Sequence, residues 1–204
     1  MCAVSGTQVS KALRLLSWFG AFSGVAIPGY STFFRNMVPP LFPEIGWITA
    51  GLGAATVFAV YSLRPRANTT SGRKRLVRRG LFLIGTSLLL LIAFLVSLRA
   101  LTVRHPRGIA LYQTGFRTAR WSLTEAGQKD LDHLPSATPE DLMFMEAAFS
   151  TSGPTKIWRA WSIYAAGLIL LAFYLGGFVG WTSGFTTLAV AGESTITASS
   201  RTIK

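Results

Sequence analysis

The stretch RKRLVRRGLFLIGTSLLLLIAFLVSLR, residues 73–99, decides the reading of this chain. It opens with five cations in seven residues: Arg73, Lys74, Arg75, Arg78 and Arg79. It continues with Leu81–Leu98, eighteen residues without a charge, and Arg99 closes it. At ~1.5 Å of rise per residue, such a run nearly crosses a hydrocarbon core of about 30 Å, and its flanks supply the remainder. A basic cluster beside an apolar run marks the cytoplasmic side of a membrane span.

The rest of the chain has the same character. Half of its 204 residues are hydrophobic and its mean hydropathy is +0.42. The apolar residues are bunched into long runs, as membrane insertion requires. A formal net charge of +12 could suggest nucleic acid. Basic residues flanking apolar spans already account for it, so no nucleic-acid partner is expected. The expected partner is the lipid bilayer, with Arg73, Lys74, Arg75, Arg78 and Arg79 at headgroup level, where they can also hold anionic lipid. The single cysteine, Cys2, excludes an intramolecular disulfide and a cysteine-built metal cluster.

Working towards the N-terminus, Ile45–Leu63 is a second uncharged run, of nineteen residues. Gly51 and Ala55 on it have the small-xxx-small spacing that lets helices approach closely, and ordinary packing within the chain is the expected use. Before it, Pro39, Pro40 and Pro43 break any helix between Arg35 and Glu44. Leu15–Phe34 is uncharged over twenty residues, with Pro28-Gly29 inside it. One reading is a first span, kinked or ended near Pro28. The other is a cleaved signal peptide with Gly24 and Ala26 before the cut. The span is preferred, because Pro28 would directly follow that cut and the run is long enough to cross.

Working towards the C-terminus, residues 104–156 are the one sizeable water-soluble segment. Arg104–Trp121 alternates roughly and predicts a β-hairpin, with Ile109, Leu111 and Gln113 on one side and 116–121 returning. Ser122-Leu123-Thr124-Glu125 reads as a capping box that starts a helix through about His133. Thr138-Pro139-Glu140-Asp141 is a second start signal, with a helix to about Phe149. The charge is polarised: Arg104, Arg107, Arg117 and Arg120 give +4, and residues 121–156 give −4. A basic hairpin docked on an acidic helical pair would explain this, and so would two independently solvated faces.

Ile157–Trp181 is the fourth run, with Trp158, Trp161 and Tyr164 as interfacial aromatics near one end and Tyr174 and Trp181 near the other. Gly176 and Gly180, with Gly167 and Gly177, give it a small-residue face for helix packing. Residues 193–204 are Ser/Thr-rich and read as a disordered polar tail.

The expected architecture is an all-α membrane protein. It is a four-helix transmembrane bundle with a small α+β insert, a hairpin plus two helices, between spans three and four. Residues 1–103 hold spans one to three and the basic cytoplasmic loop 64–79. Residues 104–156 are the extramembrane insert, and residues 157–192 are span four. Eleven cations fall on the side of the 64–79 loop and nine on the other. That loop is acid-free and dense, which places both termini in the cytoplasm of a plasma (inner) membrane protein.

Catalytic signals are weak. His133 lies near Asp130 and Asp132, but two ligands on one helix face do not close a metal site. Glu125, Glu140 and Glu146 could form carboxylate pairs, yet acids at helix starts already answer the helix dipole. Residues 120–131 resemble the wing-to-helix junction of winged-helix regulators, but an apolar span stands where the recognition helix should precede it. The four apolar cores contain no ionisable group, which argues against an ion-coupled carrier. The expected function is non-enzymatic: an accessory, sensor or scaffold protein with 104–156 as interaction module, without metal or cofactor. Its partner would be another protein or a second copy of itself. An oligomeric channel or membrane-permeabilising effector is the alternative, with the small-residue faces as subunit contacts. A membrane-surface enzyme acting on lipid or envelope is the third.

Overall fold

A computed structural model of the chain describes residues 6–29, 45–62, 69–104, 111–117, 119–147 and 153–201. Seven α-helices and one two-stranded sheet form among them: α1 Gly6–Gly29, α2 Ile45–Tyr61, α3 Thr70–Leu101, β1 Thr102–Arg104, β2 Leu111–Gln113, α4 Glu125–His133, α5 Pro139–Ala147, α6 Gly153–Ile157 and α7 Ala160–Arg201. A short 3-10 turn, Arg120–Ser122, precedes α4. The proline-rich connector before α2 lies outside the described residues.

Two helices among the described residues are long and apolar enough to cross a membrane: α3, and α7 as far as Gly192. The other two expected spans form shorter apolar helices, Leu15–Ile27 within α1 and the 17 residues of α2. Pro28-Gly29 closes the first.

The basic cluster differs from expectation. It was read as part of a loop, 64–79, but α3 begins at Thr70 and the five cations stand on its first turns. Thr69 caps the start: its hydroxyl accepts from Gly72 N at 3.1 Å and its carbonyl from Arg73 N at 2.9 Å. This cap is what the polar look of Ala67–Gly72 concealed.

The chain divides into two compact units. The first comprises Met1–Arg35, Glu44–Ile92 and Leu175–Lys204. Within it, α7 is the helix that the others pack on. Phe185 fills the space over Gly20, and Trp181 Nε1 donates to Gly20 O at 3.1 Å. On another side of α7, Gly184 faces Ile84, and Gly80 faces Leu188. A Cβ built on either glycine would lie 3.0 Å from the other's carbonyl oxygen. Gly176, Gly177 and Gly180 receive Leu90, Leu91 and Ser87 of α3. The Ser87 hydroxyl donates to Gly177 O across this contact. Leu76 and Val77 extend the interface against Val190 and Ala191.

Periodicity explains the pairing. The buried positions Gly80, Ser87, Phe94 and Leu101 recur every seven residues along α3. Along α7 the positions Ile163, Leu170, Gly177, Gly184 and Ala191 do the same. A seven-residue repeat keeps one seam in contact as long helices wind about each other. Buried hydroxyls bond inside their own helices, as Thr49 to Ile45 O at 2.7 Å and Thr186 to Thr182 O at 2.7 Å. Such back-bonds remove polar groups from an apolar interior.

Two packing expectations separate here. Gly176 and Gly180 pack within the chain, against α3. Gly51 and Ala55 do not: both are exposed, and nothing lies within 4 Å of a Cβ built on Gly51. The small-residue face that α2 buries is Gly46, Thr49 and Gly53, and Gly53 meets Val25 of α1. The expected disordered tail is also corrected, since α7 continues to Arg201. No proline follows Gly192, and adding one residue to an existing helix is far easier than starting one.

The second unit comprises Asn36–Pro43 and Ala93–Tyr174. Here β1 follows α3 without a break and pairs antiparallel with β2, Thr102 opposite Gln113 and Arg104 opposite Leu111. The hairpin is therefore displaced from its expected place: residues 116–121 turn and enter the 3-10 turn instead of forming the return strand. Thr102 can end the helix because its hydroxyl returns to Leu98 O at 2.5 Å. The core is Leu123, Leu142, Met143, Ile157, Trp158 and Ile163, flanked by Val103, Leu131, Ala137 and Phe144.

Gly184→Val should lower the midpoint of thermal unfolding in detergent, by an overpacking cost of about 1–3 kcal/mol. Gly51→Val, facing open space, should leave the midpoint unchanged. A fall for Gly51 and none for Gly184 would reverse the assigned interface.

Candidate functional site

The second unit concentrates the chain's polar chemistry, and its insert is held by three sets of contacts. The first joins the insert to the start of α7. Leu123 and Trp158 form an antiparallel bridge, in which Thr124 N donates to Ile157 O at 2.9 Å and Arg159 N to Ser122 O at 2.8 Å. The bridge interrupts the helix between α6 and α7, so the fourth run starts as a helix at Ala160 instead of Ile157. Arg159 Nε adds a bond to Leu123 O at 3.0 Å.

Thr124, not Ser122, caps α4: its hydroxyl accepts from Gly127 N at 3.1 Å. Ser122 is buried and its hydroxyl donates to the carbonyls of Phe116 and Ala119, 2.6 and 2.7 Å away. A Cβ on Gly127 would lie 2.8 Å from Ile157 O, so the first turn of α4 sits directly on the end of α6.

The second set is ionic, and it joins the basic and acidic halves of the insert. Arg117 Nε lies 2.8 Å from Glu140 Oε1, and Arg117 Nη2 donates to Thr102 O at 2.6 Å. Nε–H is not aligned on an acceptor, so the contact with Glu140 is Coulombic while the bond to Thr102 is directional. Both side chains are less than one-third exposed. A hydrogen bond from a charged group contributes about 1.5–3 kcal/mol. Arg120 and Asp132, 3.6 Å apart and largely exposed, contribute little. One cation of the basic segment, Arg117, is thus coupled to the acidic helix α5, whereas Arg104 is exposed and Arg107 lies outside the described residues.

Asp141 and Thr138 form the start of α5. Thr138 N and its hydroxyl donate to Asp141 Oδ2 at 2.9 and 2.7 Å, and Asp141 N returns a bond to the Thr138 hydroxyl at 3.2 Å. The Thr138 hydroxyl, then its backbone N–H, hold the Asp141 carboxyl below its ordinary 3.8.

The third set is buried and polar. Gly115 lies against Trp158: a Cβ there would meet the indole Cδ1 at 2.7 Å. Gln113 Nε2 donates to Ile163 O at 2.9 Å. Gln113 Oε1, Thr114 Oγ1 and Trp158 Nε1 are buried without a hydrogen-bond partner. Trp158 is 0% exposed, so it is a core residue and not the interfacial aromatic expected of it. Trp161 and Tyr164 are 50% and 62% exposed.

The remaining candidates are dispersed. Lys74, Arg75, Arg78 and Arg79 are exposed and Arg73 half-buried. Glu125 opens α4 and Glu140 is held by Arg117, while the side chain of Glu146 lies outside the described residues. His133 Nδ1 lies 2.7 Å from Lys129 O in its own helix. His105 lies outside the described residues. Among the described residues no three His, Cys, Asp or Glu side chains gather as a metal site. Sequence reasoning missed α6 and the Leu123–Trp158 bridge; the apolar pair Ile157-Trp158 ahead of the polar Arg159 was the available signal.

No protein-family model, curated protein or solved structure matches the chain.

Thr114→Val should raise the thermal midpoint, because it removes a buried hydroxyl without a partner at a gain of about 1 kcal/mol. Lowered stability would show that this hydroxyl has a use. The Asp141 cap is complete above the carboxyl's ordinary 3.8 and is lost as pH falls through the lowered value. The Thr138 amide proton shift should therefore titrate with a midpoint below 3.8; a midpoint above it would contradict the cap.

Proposed function

We propose that the chain is a small multi-pass integral membrane protein of accessory, sensor or scaffold type, with residues 104–156 as its interaction module. It has four spans, both termini in the cytoplasm, and lies in the plasma (inner) membrane. The supporting observation is apolar exposure. On α3, Leu81, Phe82, Leu88, Leu89, Ile92, Leu95 and Val96 are 49–71% exposed. Phe19 and Phe22 on α1, and Trp47 and Phe58 on α2, are 67–78% exposed. Burying one such side chain is worth about 1.5–3 kcal/mol. The seven on α3 alone therefore represent on the order of 10 kcal/mol, comparable with the whole net stability of a soluble domain. Helices hidden inside a soluble protein would not present such a surface, and a bilayer covers it.

The four-span reading needs α1 and α2 to cross despite their shorter apolar lengths. Thinning of the bilayer and snorkelling of flanking residues accommodate such spans. Orientation rests on the acid-free cluster at the start of α3. Five cations there oppose the positive end of the helix dipole, so phosphate headgroups beside them relieve both charges at once.

The channel alternative is weakened on α7, whose Gly176, Gly177, Gly180 and Gly184 are occupied by α3. It keeps Gly51 and Ala55, which face outward on α2. Disulfide crosslinking through Gly51→Cys in a Cys2→Ser background would trap a dimer if that face self-associates.

The decisive experiment combines extraction and topology. The chain should resist alkaline carbonate extraction, and reporter fusions after Gly72 and after Ala137 should report opposite sides. Release by carbonate would remove the membrane reading; identical reporter signals would remove the topology. Deleting 104–156 should leave insertion intact and abolish capture of the partner.

A further inference from the structure

The insert carries an aromatic surface that neither its core nor its caps require. Trp121, next to the 3-10 turn's Arg120, stacks on Trp161 of α7, with ring centroids 5.3 Å apart and planes inclined by 11°. Phe116 lies against the other neighbour of this pair, 5.3 Å from Trp121. Trp121 is 55% exposed and Trp161 50%. Two stacked indoles held half in solvent are unusual for a water-facing surface, since each forgoes a large apolar burial.

The surface has a direction. From Trp161 it continues along one face of α7 through Tyr164 and Leu168, three and seven residues on, both exposed. That face is the start of an apolar helix of span length. Arg120 is next to Trp121 in sequence and 87% exposed, and Arg159, two residues before Trp161, is exposed and bonded at Nε to Leu123 O. Asp132, 3.6 Å from Arg120, is the acid beside them. Amphipathic rings with cations next to them, continuous with an apolar helix face, are what the headgroup layer of a bilayer selects.

We propose that Trp121, Trp161 and Phe116 form a membrane-interface platform, by which the insert lies against the lipid headgroups, with Arg120 and Arg159 contacting lipid phosphates. This rests on the membrane reading above and goes beyond it. Trp161 as part of a span would sit at the interface in any case. Trp121 belongs to the insert, and its stacking on Trp161 brings the insert down to the same level. The interaction module is then presented from the membrane surface, with its acidic helices as the remaining face.

The full-length protein, labelled with fluorotryptophan at all six tryptophans, can be reconstituted into phosphatidylcholine vesicles with and without phosphatidylglycerol. Single Trp→Phe variants assign the fluorine resonances. A nitroxide carried near the lipid headgroup should broaden the Trp121 and Trp161 resonances, and a gadolinium chelate in the water should not. Trp158, buried in the core, should respond to neither. Adding phosphatidylglycerol should strengthen the lipid effect at Trp121, and Arg120→Glu should remove that gain. A Trp121 resonance broadened by gadolinium and untouched by lipid nitroxide overturns the proposal and leaves a water- or protein-facing platform. A lipid effect at Trp121 that Arg120→Glu leaves unchanged in both vesicle compositions overturns the phosphate contact. Flotation of the same sample separates the two levels: protein that fails to float with the vesicles refutes the membrane reading itself, whereas protein that floats with Trp121 exposed to gadolinium refutes only the platform.

Discussion

The constraint that sets the packing of α3 on α7 is the backbone approach of Gly80 and Gly184, where each carbonyl crowds the space a side chain of the other would need. The α3 side of α7 depends on it. A larger residue at either position would push α3 away from the seam on which Ser87, Leu90 and Leu91 meet Gly180, Gly176 and Gly177. The cost is a helix rich in glycine, and in water each glycine would weaken it by about 1 kcal/mol relative to alanine. Close packing offsets that cost, because backbones in contact exchange dispersion and weak Cα–H···O interactions that bulkier helices forgo. The other sides of α7 use different means: Phe185 and Trp181 on Gly20 and Gly24, and Thr182 towards Gly53.

Size was legible in the sequence; direction was not. Gly51/Ala55 and Gly176/Gly180 have the same four-residue spacing, yet only the second pair finds another helix. The spacing shows that a helix could approach closely, and it is the larger residues around the small ones that decide which side is covered. Gly51 shares its face with Trp47 and Phe58, 67% and 78% exposed, whereas Gly46, Thr49 and Gly53 share theirs with buried Ile45. The seven-residue repeat along α3 and α7 would have made the distinction. It was obscured because its members range from glycine to phenylalanine, so that hydropathy alone does not display it.

Charge was read correctly as composition and less well as structure. The five cations before Leu81 looked like a loop because Asn68-Thr69-Thr70-Ser71-Gly72 looks like one, although a threonine ahead of a helix is a cap. The insert's opposed +4 and −4 halves left two arrangements open, and each has its example: Arg117 reaches Glu140 and Thr102 O with most of its side chain covered, whereas Arg104 is exposed and the Arg120–Asp132 pair stands in solvent. The hairpin was misplaced for a simpler reason. Its strands are three residues each, too short for alternation to show, and β1 grows directly from a helix end.

Helix α7 changes its lining along its length, and that change separates two kinds of packing. From Ile163 to Tyr174 its buried residues include the small Ala166 and Gly167 and the bulky Ile163, Leu170 and Tyr174, of which Ile163 joins the core of Trp158 and Leu123 and Tyr174 meets the edge of Phe94 at 5.3 Å. From Gly177 onward the seam is glycine and alanine, because side chains of α3 take up the space: Leu91 over Gly177, Ile84 over Gly184 and Leu76 against Ala191. A soluble core is driven by removal of apolar surface from water, so bulk is favoured there. Between helices in lipid that drive is absent, and fit at short range is what remains. The partnering of hydroxyls follows the same division. Among the described residues, every buried side-chain polar atom left without a hydrogen-bond partner belongs to the second unit, at Gln113, Thr114, Arg117 and Trp158. The buried threonines of the first unit bond within their own helices and Ser87 bonds to Gly177 O, so these hydroxyls are satisfied without water.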